Sequence, residues 1–285
     1  MANTMANTMA DTMTDTMTDT TIPRPTTVLC DLDGVVWLAR RAIDGAPAAV
    51  ARLRELGCRV VFVTNNSADP IAEQEAALAA IGVPAVGDVV TSAMAAARSV
   101  APGERVHVCG GTGIVEAMTR RGAIVLDGDA PGDRDAVVVG LDRAFDYSRL
   151  STASAYVRNG ARLVATNDDA TYPTPDGPIP GGGAIVAAVA TAAGVTPIVA
   201  GKPHPPMVEA VVAMVGDLDP ATTLVVGDRP STDGAFARTI GCAFALVRSG
   251  VTTAGARPEF PAGVACRLDV PDLAAVAAAI EGEHG

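Results

Sequence analysis

The sequence predicts an α/β protein: a doubly wound, Rossmann-like parallel sheet interrupted by a smaller inserted α/β domain. Three observations carry that expectation. Short apolar, β-branched runs alternate with helical stretches from residue 27 onward, as buried parallel strands and their crossover helices require. Four of these runs stop at polar residues, at the carboxyl ends of strands where open α/β sheets bind ligands. The length, 285 residues, accommodates one large domain or two modest ones.

The elements follow in order. A strand at 27–31 precedes a helix that starts near Pro47, where proline suits a first turn, and runs to Leu56 before Gly57. A second strand, Arg59 to Val63, stops at Thr64-Asn65-Asn66-Ser67, and helices follow at about 70–80 and 91–100. A second cycle has strands near 105–109, 123–126, 136–140 and 162–165, with helices near 113–121 and 148–158. The Pro/Gly-rich stretch Tyr172 to Gly183 closes it, and an alanine-rich helix runs to Ala193. Alternation then resumes: strand 198–200, helix 205–215, strand 223–226, helix at about 233–239, strand 243–247 and a last helix at 271–281. The expected division is a core from 23–104 and 198–285 with an inserted cap domain at 105–197. Residues 1–22 read as a disordered low-complexity leader, because their Met/Thr-rich near-repeats have no periodic apolar face to bury.

Composition excludes several classes. Hydrophobic residues make up 49% but aromatics only 3%, so the core must be built from Ala, Val, Leu and Ile. No charge-free apolar stretch reaches the roughly 18 residues of a membrane span. The net charge of −11 argues against nucleic acid and anionic membranes as partners, and any attraction for an anionic substrate must be local. Cys30, Cys58, Cys109, Cys242 and Cys266 are scattered and form no Cys-x-x-Cys pair, which suits a cytoplasmic protein without zinc.

Chemistry concentrates at four strand ends: Asp31-Leu32-Asp33-Gly34, Thr64-Asn65-Asn66, Gly201-Lys202-Pro203, and Gly227-Asp228-Arg229 with Asp233 five residues after Asp228. Strand alternation sends Asp31 and Asp33 to the same side, about 7 Å apart, a spacing that can hold one divalent cation. Phosphate monoester cleavage needs such company, since the uncatalysed reaction is among the slowest known. Asp31 suits a nucleophile and Asp33 a general acid/base. Magnesium would shield the nucleophile from the anionic phosphate, with Asp228 as a further ligand. Thr64 and Lys202 would hold the phosphoryl oxygens.

Read together, these four motifs resemble the haloacid dehalogenase superfamily of phosphotransferases, over nearly everything from residue 27 to 280. The resemblance implies that Asp31 is nucleophile and metal ligand, and that Asp33 is acid/base and gives its carbonyl to the metal. Asp228 is implied as the remaining ligand and Asp233 as support for the metal site. Thr64, Asn65 and Lys202 are implied to bind phosphate. The second aspartate disfavours carbon–halogen hydrolysis. Only 30 residues lie between Asp33 and Thr64, but 137 lie between Thr64 and Lys202, so an inserted cap fits only in the second interval. That spacing, with Phe62-Val63-Thr64-Asn65-Asn66-Ser67 and Ala165-Thr166-Asn167-Asp168-Asp169, is similar to the NagD-like, p-nitrophenyl phosphatase branch (subfamily IIA). The branch implies a magnesium-dependent phosphatase of small phosphorylated metabolites such as glycerol 3-phosphate, phosphoglycolate or pyridoxal phosphate. It also implies a homodimer formed through the cap, and substrate choice by Asn66 and by Tyr172 in the 167–173 loop.

The chain departs from the branch at Pro230 and Gly234, which stiffen the turn after Asp228 and weaken the following helix start. Altered loop geometry is expected there. Arg105 to Gly113 imitates a dinucleotide-binding glycine turn, but the third glycine is absent and helix packing accounts for the others equally well. The alternative to catalysis is a non-catalytic phosphate-binding or regulatory protein on the same fold.

Overall fold

The computed structural model describes residues 24–126, 132–174 and 176–282; the leader expected at 1–22 lies outside them. Among the described residues the chain forms two larger parallel sheets, of six and five strands. The six-stranded sheet runs in the spatial order Cys266–Val270, Ala243–Val247, Thr223–Gly227, Thr27–Cys30, Arg59–Thr64, Val89–Thr91. Its central strand, Thr27–Cys30, pairs with strands on both sides, Cys30 standing opposite Phe62 and Val226. The three strands end within two residues of one another, at Cys30, Thr64 and Gly227, and the residues that follow them meet at one edge.

Strand alternation divides the core. Leu29, Val61, Val225 and Phe244 face one apolar cluster, whereas Val28, Cys30, Val60, Phe62 and Val226 face the other. Helices cover both faces, as a parallel sheet requires. Ala46–Glu55 and Leu273–Gly282 pack on the second face; Pro205–Val215 and Ala235–Ile240 contribute to the first.

The five-stranded sheet runs Ile198–Val199, Arg162–Ala165, Ala136–Val139, Arg105–Cys109, Ile124–Val125. The strand expected at 198–200 to reopen the core sheet is thus corrected. Ile198–Val199 pairs in parallel with Arg162–Ala165 instead, so the inserted sheet extends past the expected boundary at 197. A two-residue apolar strand carries no signal that distinguishes one sheet edge from another.

One apolar cluster joins the two sheets. The short helix Ser92–Ala97, four alanines in six residues, packs against Ile114 and Met118 of the helix Thr112–Arg120, placing core and inserted residues in the same buried group. Small side chains allow that approach. Gly111 and Gly113 press against the Ala68 and Asp69 carbonyls, where a Cβ would come within 2.3 Å. The glycines that imitated a dinucleotide site are therefore filled by the chain's own backbone.

The edge strand Cys266–Val270 and the hairpins Trp37–Leu38/Arg41–Ala42 and Thr171–Tyr172/Ile179–Pro180 had no counterpart in the sequence reading. Their pairing depends on distant neighbours rather than local pattern. After Asp228 the chain makes a π-type turn at Pro230–Gly234 before the helix Ala235–Ile240. Among the described residues no helix is long and apolar enough to cross a membrane.

Leu29 is 1% exposed at the centre of the larger sheet. Leu29→Ala is expected to cost about 2 to 5 kcal/mol in urea unfolding, through lost burial and the cavity left behind. A cost below about 1 kcal/mol would contradict its central place.

Candidate functional site

Residues just beyond the carboxyl ends of both sheets line one pocket. Asp31, Asp33, Asn65 and Asp228 come from the larger sheet, and Asn167, Asp169 and Lys202 from the smaller. Lys202 therefore reaches the site from the inserted sheet's edge strand.

The Lys202 ammonium sits between two carboxylates, 2.7 Å from Asp31 Oδ1 and 2.7 Å from Asp233 Oδ1. It is 2% exposed. Burial works against its charge, but Asp233 and Asp31 outweigh that and hold it above the ordinary lysine range. A buried charge survives only when paired in this way.

One lysine faces four aspartates. Burial pushes Asp31 well above the usual carboxylate range; Lys202 opposes the shift, and Asp233 and Asp228 add to it. Burial raises Asp33 to about 6, against the pull of Lys202 and a hydrogen bond from the Trp37 side chain. Asp228 is likewise pushed to about 6 by burial and by Asp233, although it accepts the Val251 N–H. Crowded, desolvated carboxylates are the setting in which a hard divalent cation relieves repulsion, and oxygen donors of this kind suit magnesium. Oxygens of Asp31, Asp228 and Asp233 lie within 4.8 Å of one another, so these residues fit such an ion.

The strand ends at Cys30, and Val35 and Val36 N–H close turns onto the Leu32 carbonyl. Asp33 still lines the pocket, but the third carboxylate of the close group is Asp233. Asp233 sits there because the π-type turn folds its N–H back 2.7 Å onto the Arg229 carbonyl.

Gly34 is demanded twice. Its φ is +85°, and a Cβ would fall 2.3 Å from Asp228 Oδ2. The glycine after the aspartate pair is what admits Asp228 to the cluster.

The remaining expected residues take varied places. Thr64, buried, accepts the Asn66 N–H on Oγ1 at 3.0 Å. Asn65 turns its side chain to protein: Oδ1 accepts the Lys202 N–H at 2.8 Å, and Nδ2 donates to the Lys202 carbonyl at 3.1 Å and to Asp169 at 2.9 Å. Its amide is thus engaged with the Lys202 peptide and Asp169, while the residue lines the pocket. Asn66 accepts the Ala68 N–H, and both it and Tyr172 line the pocket. Burial and the Asp33 charge raise Tyr172 to about 12, so it stays a neutral phenol, with the Arg143 guanidinium 6.0 Å from its ring centre.

Sequence reasoning missed Asp169 and Arg229 as pocket residues. They pair at 3.4 Å across the junction of the two sheets. His204 Nε2 lies within hydrogen-bond distance of Asp168 Oδ2, at 3.2 Å.

Comparison with known proteins agrees with this geometry. Residues 28–124 match the model of the haloacid dehalogenase-like hydrolases, and residues 199–273 match a second model, described as HAD-hydrolase-like. An acid sugar phosphatase of Staphylococcus saprophyticus is 38% identical over 229 residues, 79% of this chain and 87% of that protein. The crystal structure of a glycerol phosphate phosphatase from Mycobacterium tuberculosis, in complex with magnesium, superposes with a TM-score of 0.77 at 36% identity, covering 90% of this chain and 76% of that one. A p-nitrophenyl phosphatase from Archaeoglobus fulgidus gives 0.79 at 29% identity, covering 90% and 100%.

Raised carboxylates have a consequence for stability. A group whose folded pKa exceeds its unfolded value binds more protons when folded, so stability falls as pH rises from about 4 through about 6. Metal-stripped protein is expected to melt several degrees higher at pH 5.5 than at pH 7.5, and Asp228→Asn is expected to shrink that difference. A chelated melting temperature that rises with pH over this window would contradict the electrostatics.

Proposed function

The chain belongs to the haloacid dehalogenase-like hydrolases, and from that premise we propose that it is a magnesium-dependent phosphatase of small sugar or polyol phosphates, acting through an aspartyl phosphate. The observation that carries this is the buried Lys202 ammonium 2.7 Å from Asp31, within a crowded carboxylate cluster. A nucleophile that must approach an anionic phosphorus needs cations on both sides of the transferred group.

Asp31 attacks phosphorus, and the leaving oxygen departs with a proton from Asp33, raised to about 6 and so well placed to give one near neutrality. Asp33 then takes a proton from the water that cleaves the aspartyl phosphate. Lys202 holds phosphoryl oxygens as a fixed point charge while Asp233 keeps it protonated and aimed. Thr64 Oγ1 accepts the Asn66 N–H, and its own O–H is the donor it offers to a phosphoryl oxygen. Magnesium, held by Asp31, Asp228 and the Asp33 carbonyl with Asp233 beside them, would neutralise charge on the transferred phosphoryl group. Asn66 and Tyr172, which both line the pocket, meet the leaving group and select it.

The small-phosphomonoester reading draws on the sugar, glycerol and p-nitrophenyl phosphatases that the chain resembles. Tyr172 adds an apolar face and a neutral hydroxyl, suited to a polyol rather than a second strong charge.

Asp31→Asn is expected to lower kcat on p-nitrophenyl phosphate by at least about a thousandfold. Chelation should abolish activity and added magnesium restore it. Turnover that survives both treatments would sink the proposal. Because Asp33 must be protonated, single-turnover cleavage of a glycerol or sugar phosphate is expected to slow as pH rises through about 6. p-Nitrophenyl phosphate, whose leaving group needs no proton, should show a much shallower decline. Identical profiles for the two substrates would remove Asp33 from the acid role.

A further inference from the structure

Asp169 stands out among the pocket residues because it belongs to the inserted sheet's loop, yet its side chain bonds to Asn65 and Arg229 on the core side of the site. Its Oδ2 accepts Asn65 Nδ2 at 2.9 Å, and its Oδ1 lies 3.4 Å from Arg229 Nη1. Each of those partners is one bond from the reaction centre. Asn65 clamps the Lys202 peptide by both its N–H and its carbonyl. Arg229 directly follows Asp228, and its N–H donates to Asp233 Oδ2 at 3.2 Å.

We infer that Asp169 is a positioning residue that sets the Lys202 loop and the Asp228–Asp233 turn in register with each other; the inference rests on the phosphatase reading above. An amide has two N–H donors and one acceptor oxygen. In Asn65 the Lys202 carbonyl uses one donor, the Lys202 N–H uses the oxygen, and Asp169 takes the remaining donor. A carboxylate only accepts, so its presence holds Nδ2 on that side and keeps Oδ1 on the Lys202 N–H. The ion pair with Arg229 does the equivalent for the other loop. Asp169 itself makes no catalytic contact.

The backbone places this carboxylate firmly. Gly183 N–H donates to the Asp169 carbonyl at 2.9 Å, and Asp169 N–H donates to Asn167 Oδ1 at 3.2 Å. A Cβ on Gly183 would fall 2.3 Å from the Asp168 carbonyl oxygen, and one on Gly201 would fall 2.6 Å from Asn65 Oδ1. The glycine run 181–183 and the glycine before Lys202 thus share a purpose: they let the inserted loop, Asn65 and the lysine loop close on one another without side chains between them. Burial raises Asp169, against Asn65 and Arg229, which fits a carboxylate engaged with protein rather than solvent.

The test combines Asp169→Asn, which keeps the shape, with Asn65→Ala and the double variant. Asp169→Asn is expected to lower kcat about 10-fold or more on p-nitrophenyl phosphate and on a sugar phosphate alike, with little change in KM. The double variant should be worse than Asn65→Ala alone by less than the full effect of Asp169→Asn, because the two share the Lys202 loop while Asp169 also acts through Arg229. Hydrogen exchange at residues 200–204 should quicken in Asp169→Asn at unchanged melting temperature, and Asp169→Glu should recover part of the protection. A loss confined to KM for one substrate would make Asp169 a substrate contact and overturn the inference. Additive effects of the two substitutions, or unchanged exchange at 200–204, would overturn it as well. Should the wild-type protein hydrolyse no phosphomonoester while the exchange difference persists, the phosphatase reading falls and the positional role stands.

Discussion

The structure depends on one arrangement above all: a single ammonium, Lys202, buried between Asp31 and Asp233 where two parallel sheets present their carboxyl edges to each other. Desolvating an ion costs several kcal/mol unless its partners return that energy through close, well-directed contacts. Here the partners come from distant places. Asp31 follows the central strand of the larger sheet, Asp233 follows a π-type turn, and Lys202 follows the edge strand of the smaller sheet. None of these segments can satisfy its own charge. The pairing therefore ties the two sheets together chemically, as the apolar cluster through Ser92–Ala97 and Ile114–Met118 ties them by packing.

The acidic surplus follows from the same arrangement. Asp33 and Asp228 add carboxylates beyond the two that Lys202 pairs with; burial raises both, and Asp233 adds to the shift at Asp228. A structural ion pair would have no use for them. Evolution of a merely stable core would replace such carboxylates with apolar groups, often at no cost in stability. Their presence just beyond the strand ends fits a site that meets a cation and an anionic substrate together. The chain's charge of −11 makes that local balance more important, since the wider field repels the phosphate that the pocket must hold.

Much of this was legible in the sequence, for a definite reason. The motifs at Asp31, Thr64 and Asp228 end long apolar strands, and in a parallel sheet a strand end is a place as well as a pattern. The larger sheet and its helices were readable on the same ground. Lys202 was readable as a residue but not as to its sheet, because Ile198–Val199 is too short to carry pairing information. Asp233 was read as support and proved one of the close carboxylates, since its position depends on a turn whose bond pattern no local propensity specifies. Asn65 was read as a phosphate contact; that its amide engages the Lys202 peptide was not legible. Asp169 was missed because its significance lies in partners 104 and 60 residues away.

Those misses have a common physical cause. Sequence motifs reveal groups that react, because the chemistry demands particular residue types. They reveal poorly the groups that hold the reacting ones, because a hydrogen bond to a backbone amide can be supplied by many side chains at many places. The glycines mark the difference. Gly34 could be foreseen as part of an Asp-x-Asp-Gly turn, but its need for space beside Asp228 Oδ2 exists only in the folded site. The same holds for Gly183 against the Asp168 carbonyl and Gly201 against Asn65. A missing Cβ there is the imprint of a contact between segments far apart in the chain. Glycines outside turns, read as such imprints, point to the supporting shell that residue chemistry leaves unmarked.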